Sequence, residues 1–432
     1  MTQWLLTGIL RDKTRSLFPF LTVGAGVALM IALLGFMDGV FMGMIDITAN
    51  LDTGHLRFLN KSFYEEEHLA PMDWALGGQK ETRAWLEKNG PPGVQWAPRI
   101  RWAAIMDVPD EKGETRSQTP VVGMGIDISS ARSPELKRLK LKESLTRGRL
   151  PGGRNEMLVG YLLAETLKLD LGDSVTLIGQ SFDGGMAADN YAVVGFVRFG
   201  VFAMDKKMAV VNLADAQRMF YMDNMVTEWA GYFPSRVSFA EYETARELVH
   251  SRLPGLLRNP PAGWAKDDNP VVLSILDQRN IREIAKTFDR IRNIIIWIFL
   301  ILMVLVLWNA GLLNGIHRYG EMGLRLALGE THALLAFSLA VEAFMIGVLG
   351  SAAGSLLGGG VVYYLQEVGV NMGDAFAQSG VIINDVVRGR LSVVGFLYGI
   401  VPGMTASVVG SLVAATSIFN RSEANLFREL ET

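Results

Sequence analysis

The five histidines, His55, His68, His250, His317 and His332, are scattered, with no HExxH spacing and no pairing that would bring two imidazoles to one metal. Cysteine is absent, which removes thiolate nucleophiles, thiolate metal sites, a disulfide framework and a lipidated N-terminal cysteine together. There is no GxSxG elbow and no GxxxxGKS or GxxxxGKT loop, so the chain neither hydrolyses esters by the first route nor binds ATP by the second. No catalytic residue, metal ligand or directly bound cofactor is expected, and any energy must come from a partner.

What remains is a candidate for mechanical work. Asn309 to Leu349 places His317, Arg318, Glu321, Arg325, Glu330 and His332 between two long apolar runs. From Glu321 to Leu328 the residues are strong helix formers, Leu324 and Leu328 stand one turn apart, and Gly329 supplies a stop. A short helix held between two membrane spans suits a connection to something in the cytoplasm. Two acids lie in apolar surroundings. Asp38 follows Phe18 by about twenty residues at a rise of about 1.5 Å each, which puts it at the far headgroup level. Glu342 lies about nine residues into its run and is expected to hydrogen-bond a neighbouring helix.

The elements that position these groups follow from hydropathy. Half of the 432 residues are hydrophobic and 20% are charged, so the two kinds must be segregated. Apolar runs at 18–45, 294–316, 333–365 and 391–419 are each long enough to cross a bilayer as a helix. The first is too long for a secretion signal and lacks a small-x-small cleavage site, so an attached anchor is expected. In the third, Gly350, Gly354 and Gly358 form a stripe that lets another helix backbone approach closely. Arg11, Lys13 and Arg15 before the first run, Arg318 and Arg325 between the second and third, and Arg421 and Arg428 after the fourth share one side. By the positive-inside rule that side is the cytoplasm. Arg388 and Arg390, accompanied by Glu367, Asp374 and Asp385, fall on the other.

The polar block after the first run reads as α/β. Strands are expected at 55–59, 100–108, 120–126, 157–159, 174–178, 191–197 and 208–211, with helices at 80–88, 161–169, 214–221 and 242–253. Two lobes are expected, one from 50–130 with 230–275 and the other, a small split βαβ unit, from 145–225. The net charge of −3 points to no polyanionic partner. Lys137, Arg138, Lys140, Lys142, Arg147 and Arg149 are diluted by Glu135 and Glu143 and lack interleaved aromatics, so they read as a solvated face and not a nucleic-acid site.

The expected fold is an α-helical membrane protein with four transmembrane helices and a large α/β periplasmic domain inserted between the first and second. The segments are a cytoplasmic stretch 1–16, a helix 17–47 with an outer extension, the periplasmic domain 48–287 and a helix 288–316. A cytoplasmic coupling loop 317–332, a helix 333–365, a periplasmic loop 366–390, a helix 391–418 and a cytoplasmic tail 419–432 follow.

One span, a large outer domain and then three spans with an EMGLRLALG loop resembles the MacB/FtsX-like permease superfamily of ABC transporters. The loop of that superfamily opens Glu-Ile-Gly and carries an Arg, an Ala and a closing Gly. Glu321, Gly323, Arg325, Ala327 and Gly329 supply these, with Met322 in place of the Ile. Within the superfamily the chain looks most like the lipoprotein-releasing permeases of the LolC/LolE type, because GRLPGGRNEMLVGYLLAETLKLDLGDSVTLI, from Gly148 to Ile178, is similar to their outer domain. From Ser417 to Leu430 the chain reads SIFNRSEANLFREL, where such permeases often carry a P-x-E-A-L-R tail; Glu423-Ala424 and Phe427-Arg428 echo it.

The resemblance implies a non-catalytic permease that pairs with a second copy or a paralogue, each seated on a separate cytosolic ATPase subunit that binds ATP and Mg. Coupling would run through Glu321, Met322, Gly323, Leu324 and Arg325, continuing with Leu326, Ala327, Leu328 and Gly329. An apolar cleft for lipid would be lined by Met37, Phe41, Met44, Trp297 and Ile301. A hairpin with Phe182, Asp183, Gly184, Gly185 and Met186 at its turn would recruit a periplasmic lipoprotein carrier. The location implied is the bacterial inner membrane, with both termini cytoplasmic, and the work implied is ATP-driven release of lipoproteins or other lipidated cargo. A MacB-like exporter of periplasmic peptides or small molecules and an FtsX-like regulator of a cell-wall hydrolase stand as alternatives.

Overall fold

The computed structural model describes residues 13–130, 133–235, 237–265, 268–317, 319–371 and 386–419. Arg11, Arg318, Asp374, Asp385 and the tail residues Arg421, Glu423, Ala424, Phe427 and Arg428 lie outside these, as do the side chains of Lys13, Arg15, His317 and Glu321.

In chain order the helices are α1 (Lys13–Ile47), α2 (Lys61–Glu65), α3 (Gln79–Asn89), α4 (Glu135–Arg138), α5 (Tyr161–Leu167) and α6 (Phe202–Lys207). They continue as α7 (Leu213–Met219), α8 (Phe239–Arg258), α9 (Ile281–His317), α10 (Tyr319–Ala327), α11 (His332–Glu367) and α12 (Val393–Phe419). The strands are β1 (Leu56–Asn60), β2 (Gln95–Pro109), β3 (Thr115–Ile126), β4 (Leu145–Gly148) and β5 (Glu156–Gly160). After them come β6 (Ser174–Gln180), β7 (Met186–Val197), β8 (Met208–Asn212), β9 (Glu228–Tyr232) and β10 (Pro270–Ser274). These divide into two compact units, one of Met1–Met42, Ala285–Val370 and Val387–Thr432, the other of Gly43–Ile284 and Asn371–Val386.

In the first unit α1, α9, α11 and α12 are each long and apolar enough to cross a membrane. Val23, Val27 and Ile31 of α1 pack with Met303 and Leu307 of α9, Val362 of α11 and Ala406 of α12. Lipid tails are as apolar as these side chains, so close fit and hydrogen bonds hold such helices together. Ser407 Oγ on α12 donates to the Ala343 carbonyl of α11 at 2.5 Å, and Ser411 Oγ to the Leu339 carbonyl at 3.4 Å. At the far end of α1, Ser392 Oγ donates to Asp38 at 3.5 Å.

The second unit is built on one sheet, in the order β10-β1-β9-β2-β3-β8-β5-β7-β4, with β6 pairing both β2 and β7. The two expected lobes are therefore halves of a single sheet. β2 decides this, because its fifteen residues pair with β9 from Gln95 to Arg99, with β6 from Ala104 to Asp107, and with β3 along almost the whole length. Parallel pairing of β3 with β8 then closes the seam. β4, β9 and β10 fall outside the expected strands. β10 opens on Pro270, which the sheet tolerates because β10 is an edge strand. The core gathers Met124, Ile126, Leu139, Leu141, Leu158 and Val210 among others.

Candidate functional site

The loop between α9 and α11 carries α10. Its end is fixed by backbone geometry: Gly329 takes φ +95°, the Glu330 amide donates to the Arg325 carbonyl at 3.1 Å and the Gly329 amide to the Leu326 carbonyl at 3.0 Å. This paired arrangement satisfies carbonyls that a helix end leaves open, and glycine is the residue that reaches the left-handed conformation without strain. Thr331 then caps α11 by accepting from the Leu334 amide at 3.3 Å. Met322 is buried, whereas Leu324 is 63% exposed and Leu328 79% exposed. Gly323, Ala327 and Gly329 are exposed and Arg325 and Leu326 half-buried. The arrangement offers an apolar knob of two leucines one turn apart on a stiff, capped helix.

Gly350, Gly354 and Gly358 of α11 all face α1. A Cβ at Gly350 would stand 3.0 Å from the Val23 Cβ, and one at Gly358 would stand 2.6 Å from the Ala28 carbonyl oxygen. One at Gly354 would meet the Gly24 carbonyl oxygen and the Val27 side chain.

The five residues expected to line a lipid cleft do not converge within one chain. Phe41 is buried and stacks on Phe288 with ring centroids 4.9 Å apart, Met37 is half-buried, and Met44 is buried in the second unit. Trp297 and Ile301 are 63% and 55% exposed, on a face of α9 they share with Ile294, Ile298 and Leu302. Met303 and Leu307 occupy the opposite face and pack on α1. A helix in contact with a bundle can present only about half of its circumference to it, and in α9 the methionine–leucine side fills that half.

The expected hairpin turn joins β6 to β7. The Ser181 amide donates to the Gly185 carbonyl at 2.9 Å, the Gly184 amide to the Ser181 carbonyl at 3.1 Å, and the Phe182 amide to the Phe220 carbonyl at 2.9 Å. Ser181 also bonds Asp183, which holds that carboxyl below its usual range together with the Gly185 amide. Met186 is 79% exposed. Register continues its side of the sheet into a second row: Ala188 lies opposite Ile178, Ile178 opposite Ile105, and Ile105 opposite Pro120. Ile105, Pro120 and Ala188 are exposed. The next row, Asn190, Thr176, Asp107 and Gln118, is polar and bounds the patch.

Arg149 of the basic run pairs with Glu156 at 2.7 Å, and the Gly152 and Gly153 amides donate to the same carboxylate at 2.8 and 2.9 Å. The Arg149 hydrogen bond above all brings the Glu156 carboxyl down to about 2 from its ordinary 4.5. A depressed carboxyl stabilises the fold fully above its unfolded value and ceases to as pH falls through the folded one. The urea midpoint of Glu156→Gln is therefore expected to lie below that of the parent at pH 7, with the gap closing between pH 4.5 and about 2. Arg138, from the same run, is half-buried: it stacks on the Tyr232 ring at 5.5 Å and bonds Asn50 at 3.2 Å, so it belongs to the interior and not to the solvated face.

Sequence reasoning missed a buried ion-pair network in the second unit. Arg57, Arg99, Glu135 and Glu228 have fully buried side chains. Glu228 accepts from Arg57 at 2.6 Å and Arg101 at 2.9 Å, and Arg99 pairs with Glu135 and bonds the Tyr232 hydroxyl. Arg101 reaches the Asp52 carboxylate at 2.6 Å, and Arg279 reaches it at 3.0 Å. Burial alone would raise the Glu228 carboxyl, but Arg101, Arg57 and Arg99 outweigh it and hold it low. His55 stacks on Tyr242 at 5.4 Å, its Nδ1 accepts from the Phe233 amide at 3.3 Å, and burial, then Arg138, lowers it to about 4. It is a neutral core residue. The signal available beforehand was Arg99 and Arg101 two apart, on one face of an otherwise apolar strand.

Among the described residues no group of acids and histidines could hold a metal ion. Residues 16–242 match the MacB-like periplasmic core domain and residues 293–422 the FtsX-like permease C-terminal region. The lipoprotein-releasing system transmembrane protein LolC of Neisseria meningitidis serogroup B is 28% identical over 143 residues, spanning 31% of this chain and 32% of that protein. The crystal structure of the periplasmic region of MacB from Actinobacillus actinomycetemcomitans aligns with 54% of this chain and 92% of that one, at 12% identity and a TM-score of 0.34. With four membrane-length helices, an α/β domain after the first and family matches over both parts, the chain belongs to the MacB/FtsX-type permease family of ABC transporters, a multi-pass inner-membrane protein.

Proposed function

We propose that the protein is the permease subunit of an ABC transporter that releases lipoproteins or other lipidated cargo from the outer leaflet of the inner membrane. Its ATP and Mg are bound by a cytosolic ATPase dimer, and it pairs with a second permease copy or a paralogue. The observation that carries the reading is the α10 knob, Leu324 and Leu328 exposed on a capped helix between two membrane-length helices. An exposed leucine pair on a rigid element costs solubility unless a partner covers it. In this reading both termini lie in the cytoplasm and the large unit in the periplasm.

Lipidated cargo suits the design. Each acyl CH₂ drawn into water costs about 0.8 kcal/mol, so a chain-by-chain passage through water costs on the order of tens of kcal/mol and a protein route avoids it. The partial match to LolC, a protein of a lipoprotein-releasing system, supports this cargo over peptides. The exposed α9 face with Trp297 and Ile301 is then completed by the second permease or by lipid.

Arg325→Glu tests the coupling element. The variant is expected to insert normally and to lose coupling to the ATPase about tenfold or more, the factor given by about 1.4 kcal/mol of lost contact. Unchanged stimulation of ATP hydrolysis in proteoliposomes would remove α10 from that role. Met186→Asp tests the outer acceptor. Pull-down of a periplasmic lipoprotein carrier should fall about tenfold, while the melting temperature stays within about 2 °C of the parent, as surface changes usually do. Equal recovery of the carrier would exclude the turn.

A further inference from the structure

We infer that Asp52 and Arg279 form a yoke that fastens the outer ends of α1 and α9 to each other and to the sheet, so that both helices deliver movement to the outer domain as one lever. The inference rests on the permease reading and names the part that carries the motion.

Three observations converge on this pair. α1 ends at Ile47, but the chain continues helically as a π-turn from Thr48 to Thr53, and Asp52 sits on that turn. Arg279 stands two residues before α9 begins at Ile281. The Asp52 carboxylate therefore joins, at 3.0 Å, the last turn of one long helix to the first approach of the other, and at 2.6 Å it joins both to Arg101 on β2.

The backbone there is held against its own preference. Arg279 has φ +48° and Asn280 φ +58°, a left-handed pair of non-glycine residues. Such conformations persist where the surroundings over-determine them, and they concentrate at switch regions. The surroundings do so from two sides. Arg279 also pairs with Glu67 at 3.3 Å, and Glu67 in turn pairs with Arg57 at 3.0 Å. Arg282, in the first turn of α9, bonds Asp277 at 2.7 Å and Glu243 of α8 at 3.0 Å.

The charges also balance. Arg57, Arg99, Arg101 and Arg279 face Asp52, Glu67, Glu135 and Glu228, four against four. A cluster that cancels itself has no call for an anion or a cation from outside, and its strength lies in fixing geometry. Removing Arg279, which is partly exposed, loosens one helix end while Asp52 keeps Arg101 as partner.

The test uses the full chain with its ATPase partner in proteoliposomes, and the absence of native cysteine makes introduced thiols free of background. Met186→Cys reports on the outer domain and Leu334→Cys, on the exposed first turn of α11, reports beside the coupling loop, through alkylation rates in Mg·ATP against Mg·ADP. Both rates should respond to ATP in the otherwise unaltered chain. Adding Arg279→Gln should leave the Leu334→Cys response in place and reduce the Met186→Cys response at least threefold. A full Met186→Cys response with Arg279→Gln overturns the yoke and leaves the permease reading standing. No response at either site in the unaltered chain overturns the permease reading itself. If Arg279→Gln fails to fold, Arg279→Met, which keeps the length of the side chain without its charge, takes its place with the same two reporters: a reduced Met186→Cys response supports the yoke, and a full one overturns it.

Discussion

Glu228→Gln is expected to destabilise the α/β domain by about 3–5 kcal/mol, the cost of breaking a buried ion pair from one side. The Glu228 side chain is fully buried and meets Arg57 at 2.6 Å, Arg101 at 2.9 Å and Arg99 at 3.7 Å, so its neutralisation leaves these arginines only Glu67, Asp52 and Glu135 and one positive charge of the network uncompensated in the interior. Glutamine fits the space but removes the charge that offsets them. A domain is stable by only about 5–15 kcal/mol, so a loss of this size is expected to show as aggregation on expression or a melting transition lower by 10 °C or more. Because the carboxyl is held low by its arginines, its contribution is present above the ordinary carboxylate range and is lost in acid. The gap between the parent and Glu228→Gln should therefore narrow as pH falls below about 4. A variant as stable as the parent by circular dichroism melting would mean that the network adds nothing to the fold.

Gly354→Leu is expected to part α1 from α11 and to destabilise the membrane unit strongly. A Cβ at Gly354 meets the Gly24 carbonyl oxygen, which is backbone and cannot rotate away, and Val27 lies alongside. Overpacking costs about 1–3 kcal/mol where side chains can yield and more where backbones must separate. Gly360→Leu, six residues on, supplies the control, since a Cβ there meets nothing within 4 Å. Thermostability of the purified chain in detergent should drop sharply for the first and stay near the parent for the second. Equal melting of the two variants would refute a close α1–α11 contact at the stripe.

Strand assignment shows where local pattern ends. β7 extends from Met186, five residues before the expected start at Tyr191, because its first residues, Met-Ala-Ala-Asp-Asn, lack the apolar–polar alternation of a strand and only pairing with β6 makes them one. β9 reads as no strand at all, since a charged Glu228 stands at its head, yet every residue of it is buried between β1 and β2. The two lobes share one sheet for the same reason: no local signal tells that β2 is long enough to join β9 to β6.

The residues of α10 belong to the opposite class. Helix formers, two leucines one turn apart and a closing glycine lie within one short stretch, and the structure places Tyr319–Ala327 as a helix with Gly329 in the left-handed region. The glycine stripe is local too, although the partner it meets, Phe20 to Ile31, is more than three hundred residues away in the chain.

By itself the sequence determined the membrane-length helices, the α/β character of the inserted domain and the capped helix between two spans, because hydropathy and helix signals are written in contiguous residues. Tertiary structure alone decided the single sheet, the exposed face of α9 and the ion-pair network. Arg57 finds Glu228 across 171 residues and Arg279 finds Asp52 across 227. A charge in a sequence carries no mark of whether water or another buried charge will solvate it, and only the folded chain settles which.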